Sequence, residues 1–510
     1  MERKIWIGIG ILAAVLLILS LFIFLYRPTP TREQLLKKFE EFEGKSREMK
    51  ERGYNVTEAE KFAKQAHEFF EKKNYKRAED LLNKAFEVLE EILIEFKKEA
   101  KERLSYVKVS CLYNRVTDGA PINRTLDDVI RILKETNTDF IYEGWVRYLP
   151  CPENCSMVRY LPCPENCSML SLRMREECEM RGYSYEHLRR AVSRIKEEMP
   201  DIIFCGGVLV EFLNHRCWNP ITNEIFKRDE TWNMALDPGK WGIDMSKEEF
   251  QTYYAKSQGW TEGKENYNPK EQMPFYFPDI TNSEYQKLLM SWIKKQIDCG
   301  VDAIWIDMLF SQARILAKIT GDEKHPAVQA SYNASSKIID EVHAYGYSKG
   351  KYIYVGTWWN FVKLPYPPPD VDFVAVSVSN EEILNKRINE TRWNEIITEI
   401  RNKMPDVPIF VRFDYGYENS PLATFSQNLS KEEQREFLKI VDKFCEEKDL
   451  VFIYPIHGGG MGKNPRKLSY NKFNWYDSLA PEFQTYETIK ELASNKTIVT
   501  KMEDRRGKWK

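Results

Sequence analysis

The strongest constraint on this chain is a series of eight short apolar runs, rich in β-branched and aromatic residues, that begins at Tyr106. They read YVKVSCL (106–112), DFIYEG (139–144), IIFCGGVLV (202–210), AIWID (303–307), YIYVG (352–356), FVAVS (373–377), PIFVRFDY (408–415) and VFIYPI (451–456). Between them lie amphipathic helical patterns, including Leu126 to Lys134, Tyr185 to Glu198, Glu284 to Cys299 and Lys431 to Glu447. Strands that are apolar on both faces belong to parallel sheets covered by helices. Eight such alternations predict an α/β fold, a (β/α)8 TIM barrel over residues 106–495. An open doubly wound sheet would carry a Gly-rich turn after its first strand, and none follows residue 112.

Two insertions interrupt the alternation. The segment 146–180 holds a tandem duplication, VRYLPCPENCSM at Val146–Met157 and again at Val158–Met169, with Cys151, Cys155, Cys163 and Cys167 in its two CPENC copies. Perfect identity marks a recent duplication, which accounts for the four cysteines without a metal, so disulfides are expected there and no metal site. The longer insertion, 214–279, is rich in Trp218, Trp232, Trp241, Tyr253, Tyr254, Trp260 and Tyr267. A polar, aromatic loop after a barrel strand is where substrate contacts are expected.

Ahead of the barrel, residues 1–30 contain IWIGIGILAAVLLILSLFIFLY, an uncharged run from Ile5 to Tyr26. Its length matches the ~20 residues that span a bilayer, with Trp6 and Tyr26 at its ends, and it predicts a transmembrane helix contacting lipid through 5–26. No small-x-small cleavage site follows it in LYRPTP. A single span excludes a channel or transporter. Residues 31–105 carry two sets of apolar positions, from Ala59 to Phe70 and from Ala78 to Ile92, around the breaker Asn74-Tyr75. This predicts an antiparallel helical hairpin, a stalk beneath the barrel. Residues 496–510 form a charged tail.

Arg27, Arg32, Lys37 and Lys38 outnumber Arg3 and Lys4, so the flanking charges alone place the barrel inside. Sequons at Asn55, Asn123, Asn154, Asn166, Asn333, Asn389, Asn428 and Asn495, with ten cysteines in the chain, place it outside the cytoplasm as a glycoprotein, and this is the expectation kept. A net charge of −2 without a basic stripe excludes nucleic acid as a partner. No HExxH, P-loop or dinucleotide fingerprint occurs, and no cofactor is expected.

Catalytic groups in such barrels come from the C-terminal ends of strands. Those ends offer Glu143, Glu211, Asp307, Glu381 with Glu382, Asp414 and His457. Asp307 is the sharpest signal, because it ends a run of buried apolar residues. Its alternative is a structural carboxylate that caps the next helix or pairs with a buried arginine such as Arg412. Glu381, Asp414 and Glu143 are its candidate partners, although Glu381 can equally begin a helix. Trp145, Glu211, Trp358, Trp359, Arg412, Tyr415 and His457 are candidate substrate-binding residues. Carboxylates beside aromatic rings suit a polysaccharide or glycan, whose apolar sugar faces stack on the rings while paired carboxyls do the acid and base work. Cys205, Cys299 and Cys445 fall in or beside apolar segments and are expected in the core.

The passage PDITNSEYQKLLMSWIKKQIDCGVDAIWIDM (278–308), with PIFVRFDYGYENS (408–420) and VFIYPIHGG (451–459), resembles the (β/α)8 glycoside hydrolases, nearest to the family 114, endo-α-1,4-polygalactosaminidase-like barrels. α-Galactosidase-like barrels share the aspartate that closes strand four. The resemblance covers strands four to eight and implies that Asp307 is the nucleophile or base. It also implies a glutamate near the end of strand six, where this chain reads FVAVSVSNEEI and Glu381 is displaced by several residues. The expected function is a membrane-anchored, extracytoplasmic glycoside hydrolase; the alternatives are a carbohydrate-binding barrel without turnover and a structural envelope component.

Overall fold

The computed structural model describes residues 29–51, 54–117, 123–147, 185–215, 218–219, 221–222, 224–461 and 474–496. The 5–26 run, both CPENC copies and nearly all of the tail lie outside them. Among the described residues no helix is long and apolar enough to cross a membrane.

The chain forms two compact units, 1–99 with 348–350, and 100–347 with 351–510. Among the described residues the first contains three helices, α1 (Arg32–Glu51), α2 (Thr57–Glu71) and α3 (Tyr75–Ser105), the last two carrying the apolar sets read as a hairpin. Helix α1 buries Leu35, Phe39, Phe42 and Met49, which recur at helical spacing within a highly charged segment. Phe39 meets Phe70 edge-on at 5.6 Å between ring centroids, and Phe42 meets Phe86 at 5.4 Å. Buried Ala59, Ala66, Ala78 and Ala85 allow close helix approach.

The second unit is a closed barrel of eight parallel strands: β1 (Ser110–Tyr113), β2 (Phe140–Arg147), β3 (Ile203–Leu209), β4 (Ala303–Asp307), β5 (Tyr354–Trp358), β6 (Phe373–Ser377), β7 (Ile409–Arg412) and β8 (Val451–Gly460). The pairing of β1 with β8 closes it. A ninth strand, β9 (Trp475–Asp477), runs antiparallel to β8. The predicted strands and helices are found at or within a few residues of their expected places. Strand alternation sends Ile304, Ile306, Val374, Val376, Ile409 and Val411 into one core with the covering helices. Cys205, Cys299 and Cys445 are buried as expected, with Cys111.

The barrel interior is filled by aromatic rings. Phe140, Phe373 and Phe410 lie within 5.0–5.4 Å of one another between centroids, and Trp305 joins them above. Gly356 on β5 is register partner to Phe373, whose ring lies across it. A Cβ at Gly356 would fall 2.1 Å from the ring carbons. Gly356→Ala is therefore expected to cost about 1–3 kcal/mol through overpacking, read as a lowered urea midpoint.

The insertion between β3 and β4 folds as a small cap with a core of Trp232, Leu236, Phe250, Tyr254, Tyr276 and Phe277. Trp232 and Tyr254, expected at a sugar-contacting surface, are spent on that core.

On the covering side, α4 (Pro326–Ser348) carries His343, which is 5% exposed and bonded through Nε2 to Asp372 Oδ2 at 2.9 Å. Asp370 approaches its Nδ1 at 3.5 Å. Burial pushes the imidazolium pKa down, but the bonds to and charges of the two aspartates outweigh it and carry it up to about 9. A raised pKa contributes stability that is complete below the ordinary histidine value and is lost as pH climbs through 9. That contribution is on the order of 3 kcal/mol. Unfolding midpoints of the wild type should fall between pH 6.5 and 10 by more than those of His343→Gln. Parallel pH curves would discard this account.

Candidate active site

The C-terminal mouth of the barrel collects polar groups above the aromatic plug. Glu143 owes its place to a bulge in β2. Ile141 pairs with Phe204 and Trp145 with Gly206, so three residues of β2 face one of β3. Glu143 sits at φ 50°, left-handed for a side chain that disfavours it. The irregularity turns Tyr142 and Glu143 both toward Arg412 of β7 and sends Trp145 outward. Met308, directly after Asp307, is also left-handed at φ 61°. Backbone strain of this kind concentrates at functional sites.

Arg412 is 4% exposed and reaches Glu143 with both terminal nitrogens, at 3.2 and 3.5 Å. It donates to Tyr142 Oη at 2.9 Å. Four rings surround the guanidinium: Tyr142 and Tyr415 at 4.9 Å, Trp358 at 5.3 Å and Trp305 at 5.9 Å. Tyr415 donates its hydroxyl to Glu143 and accepts from Asn114 Nδ2 at 3.0 Å. Gly459, at φ 86°, lets β8 pass Tyr415, since a Cβ there would meet Leu422 at 2.4 Å and the Tyr415 ring at 3.1 Å.

Asp307 ends β4, half-buried, and accepts from Trp358 Nε1 at 2.6 Å. Loss of solvation, then the neighbouring charges of Glu143 and Asp414, lift its pKa to about 8, against the opposing pull of Arg412 and the Trp358 bond. Asp414 follows β7, also half-buried. It accepts from the Tyr415 amide at 2.9 Å and the Tyr417 hydroxyl at 3.2 Å. Burial raises its pKa while Arg412 and these two donors favour its charged form. Burial likewise raises the Glu143 carboxyl, opposed by Arg412 and Tyr415. A shallow depression beside Asp307 is lined by Met308, Ser311, Arg314, Trp358 and Asn360, among others.

Of the residues expected at the site, Asp307, Glu143, Asp414, Arg412, Tyr415 and Trp358 are brought together. Trp359 lies half-buried on the next turn, with Lys363 Nζ 5.0 Å over its ring. Glu381 is not brought in: it is exposed in the first turn of helix α5 (Asn380–Asn385). Its neighbour Glu382 closes the capping box with Ser379 and is buried against Trp393 and Arg392. Trp145 is fully buried against Tyr185 and offers no sugar-stacking face. Glu211 is buried under the insertion, accepting from Tyr254 Oη at 3.1 Å. His457 is 1% exposed and bonded through Nδ1 to Asp477 Oδ2 at 2.5 Å, and Arg124 pairs with the same aspartate at 3.1 Å. It is a buried strut between β8 and β9, not an exposed imidazole.

Asn114, Tyr142 and Tyr417 belong to the site and were not singled out in the sequence. Asn114 lies just past the end of β1, where the strand-end rule reaches it. Tyr142 and Tyr417 carry no comparable signal. Among the described residues no group of three or more His, Cys, Asp or Glu side chains is placed to hold a metal ion.

No family model matches the chain, and no curated protein sequence matches it. Similar solved structures include the glycoside hydrolase domain of PelA from Pseudomonas aeruginosa, 10% identical over 68% of this chain and 93% of that one, with a TM-score of 0.33. The alpha-amylase from H. orenii is 10% identical over 77% of this chain and 83% of its own, with a TM-score of 0.43. Eubacterium rectale Amy13B is 9% identical over 76% and 78%, with a TM-score of 0.42. Likeness at this level bears on neither substrate nor mechanism.

Proposed function

We propose that the chain is a glycoside hydrolase acting on a polysaccharide or glycan, tethered to a membrane by residues 5–26 with its barrel outside the cytoplasm. The observation that carries the hydrolytic reading is the trio Asp307, Glu143 and Asp414 at the barrel mouth, where one acid keeps its proton near neutrality and another is matched to Arg412. Titratable groups pushed apart in this way divide acid from base.

In this mechanism Asp307 gives its proton to the glycosidic oxygen as the bond to the anomeric carbon breaks. Asp414, in its charged form and held by the Tyr415 amide and the Tyr417 hydroxyl, serves as base toward water or as nucleophile. Trp358 holds Asp307 in place and, with Trp359, offers ring faces to sugars. The passages 278–308, 408–420 and 451–459 support a place near the family 114 barrels. The sequons and cysteine content support the exterior orientation.

The test is to incubate the detergent-solubilised full chain with neutral, acidic and amino-sugar polymers and to follow new reducing ends. Release from at least one class is expected. Retention of a polymer without release from any would replace hydrolysis with binding.

A further inference from the structure

The mouth holds three carboxyls and one guanidinium. An arginine stays charged at any pH a protein survives, and a buried one requires an anion. Glu143 is the carboxylate within ion-pair distance of Arg412. Asp307 takes its bond from Trp358 instead, and Asp414 takes its bonds from Tyr415 and Tyr417. Neither partner of the pair is free to turn away. Four rings enclose the guanidinium, while the β2 bulge and the Asn114–Tyr415 chain fix the carboxylate.

We infer that Arg412 is a positioning residue: by fixing a negative charge on Glu143 it leaves the exchangeable proton of the site with Asp307. The inference rests on Asp307 being the acid of the reading above. The groups facing Asp307 are Glu143 from β2, Arg412 and Asp414 from β7 and its loop, Trp358 from β5, and the hydroxyls of Tyr142 and Tyr254. Glu143 also faces Tyr415 and the Cys205 thiol. Apart from Arg412, each is neutral or acidic near neutrality, so Arg412 is the one positive charge among these groups.

Glu143→Gln tests this in the full chain, since Gln keeps the shape and an acceptor for Tyr415 while removing the charge. Arg412 then faces only Asp307 and Asp414 and should draw the Asp307 proton off about 1–3 pH units lower. The first readout is the protonated-carboxyl carbonyl stretch lost on Asp307→Asn, followed by infrared difference spectroscopy against pH. It needs no substrate, so it stands or falls separately from glycan cleavage. The second is the basic limb of the pH–rate profile, which should move with it.

Glu143→Gln combined with Arg412→Met removes both charges and should return the Asp307 titration to within about half a unit of wild type. A purely structural pair would lower the melting temperature and leave that titration in place. An unmoved titration in Glu143→Gln overturns the inference. If that variant does not fold, a departure of more than about one unit in the double variant does so.

Discussion

Asp307→Asn is expected to lower glycan cleavage by about 10²–10⁴-fold, the usual contribution of a positioned general acid. The substitution is nearly isosteric and keeps an oxygen to accept from Trp358 Nε1, now at 2.6 Å. What disappears is the proton. Ground-state binding should change little, so the loss belongs in kcat and not in KM. Stability should hold or rise, because the wild-type carboxyl is desolvated beside two others and its charged form is disfavoured. Initial rates across pH 6–10 with parallel melting curves check both halves, since the range brackets a pKa of about 8. Equal rates from the two proteins would remove Asp307 from the chemistry.

Arg412→Ala should cost about 3–5 kcal/mol of folding stability, a large part of the roughly 5–15 kcal/mol margin of an ordinary domain. Most of this comes from stranding the Glu143 carboxylate, which is 1% exposed, without a counter-charge. The rest comes from the space left among Tyr142, Trp305, Trp358 and Tyr415. Glu143→Gln with Arg412→Met fills that space and removes both charges, so it should recover much of the deficit. Denaturant unfolding of the wild type, Glu143→Gln, Arg412→Met and the double forms a complete cycle. A strictly additive result would mean that the two residues do not act as a pair.

The barrel was readable because strands buried on both faces leave unbroken apolar runs, and Asp307 because a charge ends one of them. The limits are equally local. Strand parity fails in β2, where extra residues sit in the ladder. That bulge makes Glu143 a partner of Arg412 and turns Trp145 into the core, and no pattern in FIYEGWVR announces it. Glu381 took the helix-start alternative because the Ser379-x-x-Glu382 spacing that brackets it is a capping box, a signature the sequence does carry. His457 looked exposed because its partner Asp477 comes from a short antiparallel strand outside the eightfold alternation. The paired apolar sets of 59–92 fall on α2 and α3, and α1 precedes them within the same highly charged segment.

The caged pair also bears on history. If either Arg412 or Glu143 changes first, the other is left as a buried charge at a cost of several kcal/mol. A lineage carrying both therefore has no easy single-step descent to a neutral mouth. It must change both positions together or gain stability elsewhere beforehand. Descendants of such a chain are expected to keep the two residues jointly or to lack them jointly, and a barrel with only one of them should carry a compensating charge within reach of the same four rings.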